Sequence, residues 1–355
     1  MVLIFLYSAR VASCLVGRYT QTVAVIPLTL FVLGILLLIK GADWLVDGAS
    51  GLAKRLGISD LTIGLTVVAF GTSMPELVVS IMSSMQGATD LAIGIVVGSN
   101  IANILLILGI ASVITPIAVK TSTVWNEIPL ALLAALVLML MANDHIVDKY
   151  PVSELSRSDG LSFLAFFVIF LWYIAKLAKR GEMEADDSPH TKRSTIAGTG
   201  LLIGGIALLI LGGKLTVDGA VFIATSLGLS ESLIGLTVVA VGTSLPELAT
   251  SVTAALKKKA DIAVGNIVGS NIFNIFWILG VSAIIQPLRF EPALNVDLAV
   301  TVIATVVLFF AVHTGYLHRR LFFWKQREHH IVERADGVLM LVLYAAYIVY
   351  LMYRG

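Results

Sequence analysis

The sequence predicts an all-α polytopic membrane protein: ten transmembrane helices arranged as two inverted five-helix repeats. Three observations carry that expectation. Of the 355 residues, 58% are hydrophobic and 13% charged, with a mean hydropathy of +0.95, whereas soluble domains carry roughly 25% charged residues. Ten apolar spans of about 20 residues can be marked along the chain, the length a ~30 Å hydrocarbon core requires. Displacing the sequence by 171 positions aligns Gly64–Gly109 with Gly235–Gly280 without a gap, 26 of 46 positions being identical.

Residues 1–22 are read as an N-terminal extension, apolar but interrupted by Arg10. The first five-helix repeat, 23–178, holds spans near 24–46, 61–83, 90–115, 124–142 and 160–178. A polar stretch of mixed charge, from Arg180 to His190, marks a cytoplasmic linker over 179–195. The second repeat, 196–355, holds spans near 196–225, 232–256, 261–287, 294–313 and 335–353. The register also holds upstream, where Val46-Asp47-Gly48-Ala49 matches Val217-Asp218-Gly219-Ala220. Five spans end on the opposite side from their start, so the second copy enters the membrane upside down. With both termini outside, sixteen of the 24 Lys and Arg residues fall in inside segments and six in outside ones, the bias that sets orientation.

The second span of each repeat contradicts its own apolarity. Gly71-Thr72-Ser73-Met74-Pro75-Glu76 recurs as Gly242-Thr243-Ser244-Leu245-Pro246-Glu247. A charge at bilayer depth costs roughly 2.5–3.5 kcal/mol on insertion scales. Each proline also removes a backbone hydrogen bond and frees carbonyls one turn earlier. Such breaks survive only where backbone is covered by protein or lines a cavity. The third span of each repeat adds Gly-Ser-Asn-Ile-x-Asn-Ile at 98–104 and 269–275, placing Ser99 and Asn103, and Ser270 and Asn274, four residues apart. Glu76 and Glu247, several hydroxyls, amide oxygens and freed carbonyls make an all-oxygen set without histidine, thiolate or base, which suits a hard cation. Two carboxylates balance one Ca²⁺, two Na⁺ or two protons, so either cargo neutralises the site. Exchange without an empty return step is the expectation.

Other classes fit less well. A net charge of +1 and no basic patch interleaved with aromatics give no reason to expect nucleic acid. A single cysteine, Cys14, excludes a disulfide framework. A membrane-embedded hydrolase needs a nucleophile beside a base, and no intramembrane His or Lys lies near the motifs. A cation channel is a further alternative, against which inverted repeats with broken helices argue. Asn100 and Asn271 are read as helix-joining amides. Asp47, Asp218, Lys40 and Lys214 are read as interfacial ion pairs, Lys257–Lys259 as a topology signal, and His313 and His330 as solvated.

The paired motifs resemble the α-repeats of the calcium/cation antiporter superfamily, most closely prokaryotic sodium/calcium exchangers, over nearly the whole chain from about Val23. The resemblance implies a secondary active transporter rather than an enzyme, in the plasma (inner) membrane of a prokaryote, with no cofactor. Its partners would be inorganic cations and membrane lipid, and a site enclosed within one chain lets a monomer function. It implies ten helices, a midplane site between the second, third, seventh and eighth, and a sliding first and sixth. Glu76 and Glu247 would be ligands shared by Ca²⁺ and Na⁺, and Thr72 and Thr243 would add oxygens to the calcium position. Ser73, Ser99, Ser244 and Ser270, with the carbonyls of Ala69 and Ala240, would complete sodium positions, and Asn103 and Asn274 would border the central one. Two departures stand out. Asn274 replaces an Asp of some prokaryotic members, and Ile95 stands where its copy has Asn266. The superfamily includes proton-coupled members, so Ca²⁺/H⁺ exchange is the alternative.

Overall fold

Long apolar runs give long helices here, and the few interruptions by proline, glycine and paired polar residues decide where they bend. The computed structural model describes residues 2–147, 149, 152–179, 195–226, 240–322 and 330–354. In chain order the helices are α1 (Val2–Leu56), α2 (Asp60–Thr72), α3 (Met74–Met85), α4 (89–114), α5 (Thr123–Met141) and α6 (Arg157–Lys179). They continue with α7 (Thr195–Ser226), α8 (Ala240–Thr243), α9 (Leu245–Leu256), α10 (Ala260–Ile285), α11 (Asn295–Phe322) and α12 (Arg334–Arg354). Among the described residues eight helices are long and apolar enough to cross a membrane, or nine if α2 and α3, bent by 48° at their junction, are counted as one span. The expected seventh span, near 232–256, lies partly outside the described residues, which hold its later part as α8 and α9. The expected linker lies outside them except for its two end residues. Helix α1 runs unbroken from the expected N-terminal extension into the first span.

The all-α expectation needs one amendment. Strand β1 (Ile117–Val119) pairs antiparallel with β4 (His330–Val332), and β2 (Glu154–Leu155) pairs antiparallel with β3 (Leu288–Arg289). Each small sheet joins a strand from one repeat to a strand from the other, where chains leaving helices side by side satisfy their backbone groups by pairing.

Burial sorts the helices into layers. Of the apolar stretches of α4 and α10, 72% and 83% is buried, against 22% for α6 and 17% for α12. The central pair is α4 and α10, while α6 and α12 lie at the periphery with large apolar side chains such as Val168, Trp172 and Val342 exposed. Helices α1 and α7, equivalent in the repeat, pack antiparallel through glycines. A Cβ on Gly41 would meet the Gly205 carbonyl at 2.9 Å, and one on Gly34 the Gly212 carbonyl at 2.8 Å. Small residues at such crossings let backbones approach closely.

Lys40 pairs with Asp43 at 3.1 Å and Lys214 with Asp218 at 2.9 Å, the local ion pairs that the spacing predicts. Lys257 does more than mark topology. It caps α9 and bridges to α1 through Asp43 at 2.6 Å and Asp47 at 2.7 Å. His313 differs from the solvated reading. It is half-buried, its Nδ1 is 2.7 Å from the Phe309 carbonyl, and its ring packs on Trp125.

Candidate functional site

Both motif prolines fall in the first turn of a helix, where a missing N–H costs nothing. The preceding turn must therefore end. Helix α2 stops at Thr72 and α3 starts at Met74, with Ser73 between them at φ −83°, ψ 10°. Helix α8 stops at Thr243 and α9 starts at Leu245, with Ser244 at φ −87°, ψ 6°. Pro75 and Pro246 put Glu76 and Glu247 in the first turns of α3 and α9, where exposed N–H groups favour negative charge.

Each carboxylate is buried to 1% exposure, and its partners are hydroxyls. Ser73 donates to Glu247 Oε1 at 2.9 Å, reaching from the first repeat into the second. Ser99 on α4 donates to Glu76 Oε1 at 3.3 Å and accepts from Ser244 at 3.2 Å. Thr243 adjoins Glu76 and Thr72 adjoins Glu247, and the two carboxylates lie within electrostatic range of each other. Asp297, by contrast, has a basic partner, whereas Glu127 also meets a hydroxyl. Asp297 is held by Arg354 at 2.6 Å and Tyr347 at 2.7 Å, and Glu127 takes a hydrogen bond from Tyr173. Among the described residues no Lys or Arg pairs with Glu76 or Glu247.

The third element of the site is a cluster of four asparagines where α4 crosses α10. Asn100 Nδ2 donates to the Asn271 carbonyl at 3.2 Å, and Asn271 Nδ2 to the Asn100 carbonyl at 3.3 Å. Asn103 Nδ2 donates to Asn271 Oδ1, and Asn274 Nδ2 to Asn100 Oδ1, both at 3.0 Å. Shifting every number by 171 turns this set of bonds into itself. Asn100 and Asn271 thus join helices, as the sequence suggests. At the same point both helices widen into π-helical turns, Ala102–Leu108 in α4 and Asn274–Leu279 in α10, a rare form frequent at functional sites.

What the cluster leaves over bears on chemistry. Glu76 Oε2, Glu247 Oε2, Asn103 Oδ1, Asn274 Oδ1 and Ser270 Oγ are buried without a hydrogen-bond partner. Four of the five can only accept. Orphaned buried acceptors are costly, and a hard cation is what such a set would satisfy.

The fold therefore groups Glu76 with Ser99, Ser244 and Thr243, and Glu247 with Ser73 and Thr72, while Asn103 and Asn274 meet in the asparagine cluster, with Ser270 on the same helix as Asn274. Two of the expected ligands are main-chain carbonyls. That of Ala69 already accepts from Ser73 N at 3.0 Å and from the Thr72 hydroxyl at 3.3 Å. Ala240 is described as the first residue of α8. Ser80, spaced to share a face with Glu76, bonds Ser282 at 3.0 Å instead. The residue that sequence reasoning undervalued is Asn266, which bonds Thr72 at 3.0 Å. The only signal for it was the mismatch with Ile95.

Comparison with known proteins shows the family and the fold. The family model described as sodium/calcium exchanger protein matches twice, over residues 26–176 and 197–353. The chain is 41% identical over 287 residues to the inner membrane protein YrbG of Escherichia coli, covering 78% of this chain and 86% of that protein. It is 32% identical over 356 residues to the sodium/calcium exchanger MaX1 of Methanosarcina acetivorans, covering 91% and 98%. Its fold is similar to that of the sodium-calcium exchanger NCX_Mj, a structure soaked with Na⁺ and Sr²⁺, with a TM-score of 0.75 and 33% identity over 92% of this chain and 98% of that one.

Proposed function

The chain belongs to the sodium/calcium exchanger protein family, and from that premise we propose that it exchanges Ca²⁺ for Na⁺ by alternating access at a midplane site built on Glu76 and Glu247. The single observation that carries this reading is the set of orphaned acceptors, one oxygen each from Glu76, Glu247, Asn103 and Asn274. A bound divalent ion would meet two negative charges and several neutral oxygens. Two sodium ions would meet the same charge. An empty site would leave two bare carboxylates at bilayer depth, which disfavours the return step without cargo.

The same reading gives ten spans as two inverted repeats, with the linker cytoplasmic and both termini outside. The antiparallel run of α1 against α7 supports inversion, because these helices are copies of each other. Lipid would cover the exposed apolar side chains of α6 and α12. Because all the ligating groups come from one chain, a monomer would suffice.

Coupling to protons is the second reading, and Asn274 favours it, since an amide there leaves the site two carboxylates rather than three. The purified protein in liposomes decides between them. An imposed Na⁺ gradient at uniform pH is expected to drive ⁴⁵Ca²⁺ against its gradient, and a pH gradient without Na⁺ is not. The reverse result would assign proton coupling, and flux that follows diffusion without saturable counterflow would indicate a channel.

A further inference from the structure

We infer that His313 and His330 form a second cation site, a two-imidazole site for a divalent transition ion of the Zn²⁺ class, which ties the end of α11 to strand β4. The inference stands apart from the exchange reading, because it uses other residues and another ligand chemistry.

The tautomer of His313 follows from its partner. Nδ1 lies 2.7 Å from the Phe309 carbonyl, one turn earlier on α11. A carbonyl only accepts, so Nδ1 carries the proton and, in the neutral ring, Nε2 carries the lone pair. Nε2 is buried and has no hydrogen-bond partner. Imidazole ligands of metal ions are commonly held in this way. One ring nitrogen donates to a backbone carbonyl, which fixes the ring and raises the basicity of the other nitrogen.

Among the described residues three rings pack on His313: Phe309 at a centroid distance of 4.4 Å, Trp125 at 5.1 Å and His330 at 5.4 Å. Tryptophan only donates and phenylalanine does neither, so His330 alone brings a second ring nitrogen able to ligate. The two imidazole planes are tilted by 58°, so the rings do not stack. Two imidazoles on one tetrahedral ion, each at a metal–nitrogen distance of about 2.0–2.1 Å, hold their centroids roughly 5 Å apart. The observed separation is close to that. His330 is held in place by the sheet, where it lies opposite Val119 of β1. A bound ion therefore fastens α11 to the small sheet that joins the two repeats.

The ligand type selects the ion. Among the described residues neither ring is paired with a carboxylate, and the neighbours of His313 are aromatic. Imidazole nitrogen suits Zn²⁺, Cu²⁺ and Ni²⁺, whereas Ca²⁺ takes six to eight oxygens. The chain thus divides cations by hardness, with oxygens between the glutamates and nitrogens at the end of α11. A structural zinc site closes its ion with four protein ligands. Two histidines leave the remaining positions to water, so the ion exchanges with solution.

The test uses the purified, untagged full chain in detergent, titrated calorimetrically with Zn²⁺ in the presence of excess Ca²⁺ and Na⁺. Saturable Zn²⁺ binding that Ca²⁺ does not displace is expected. His313→Gln and His330→Gln are each expected to weaken it by at least roughly 10–100-fold, the scale already reached by losing an outer-shell partner. His145→Gln is expected to leave it unchanged. Cu²⁺ bound to the unmodified chain is expected to show coupling to two imidazole nitrogens in its electron paramagnetic resonance spectrum, and to fewer in either variant. The spectrum of the unmodified chain needs no substitution, so it decides even where a variant fails to fold. Unaltered Zn²⁺ affinity in either folded variant, displacement of Zn²⁺ by Ca²⁺, or coupling to fewer than two nitrogens in the unmodified chain would overturn the inference.

Discussion

Glu76→Gln is expected to abolish Na⁺-gradient-driven ⁴⁵Ca²⁺ uptake while leaving yield, gel-filtration behaviour and thermal stability close to those of the unmodified protein. Glutamine keeps the shape, and its Oε1 can still accept from Ser99, which lies 3.3 Å from Glu76 Oε1. What it removes is charge. A site with one carboxylate cannot balance a divalent ion, and breaking a buried charge pairing typically costs about 3–5 kcal/mol, a loss of at least roughly a hundredfold in affinity. The folded protein need not suffer, because Glu76 has no basic partner among the described residues that the change would strand. Glu247→Gln is expected to behave alike, with Ser73 as the retained donor. Uptake near the normal rate in either variant would show that the duplicated glutamates do not carry the ion.

The second large effect is expected far from the carboxylates. A Cβ at Gly205 would lie 2.6 Å from Leu45 N and 2.8 Å from the Gly41 carbonyl. Both are backbone atoms of α1, so no rotamer change can relieve the contact and the two helices must move apart. Overpacking of this kind costs about 1–3 kcal/mol in well-packed interiors, and a β-branched residue sits at the upper end. Gly205→Val is therefore expected to lower the melting temperature of the detergent-solubilised protein clearly and to depress exchange. Gly200→Ala, on the same helix but with nothing within 4 Å of the added carbon, is expected to leave both unchanged. Equal melting curves for the two variants would mean that close approach of α1 and α7 contributes little.

The sequence made much of this legible because its information is duplicated. A lone Glu76 in an apolar span is ambiguous; Glu76 with Glu247 at a fixed offset, each behind a proline, is not. The broken helices, the place of both glutamates in a first turn and the local ion pairs follow from spacing and from proline's missing N–H, whereas Ser73 reaching Glu247 of the other repeat does not. What the residues could not announce is long-range or asymmetric. The π-helical turns at Asn103 and Asn274 have no local signature, since ordinary helix formers such as Ile, Leu and Phe fill them. The sheets pair segments more than a hundred residues apart, and three-residue strands carry no readable alternation. Asn266 was hidden by the comparison that revealed the rest. Reading one repeat through the other favours what the copies share and passes over a residue that only one of them has.

The asparagine cluster carries a consequence for how such a chain can change over generations. Its bonds are self-complementary, as at the interface of a two-fold dimer, so each half meets a copy of its own surface. Replacing Asn100 alone would strand the Asn274 amide, which donates to its Oδ1, and the Asn271 carbonyl, which accepts from its Nδ2. Residues on the axis are thus locked as couples, and drift there must be concerted. Off the axis the lock is absent, and that is where Ile95 and Asn266 have parted.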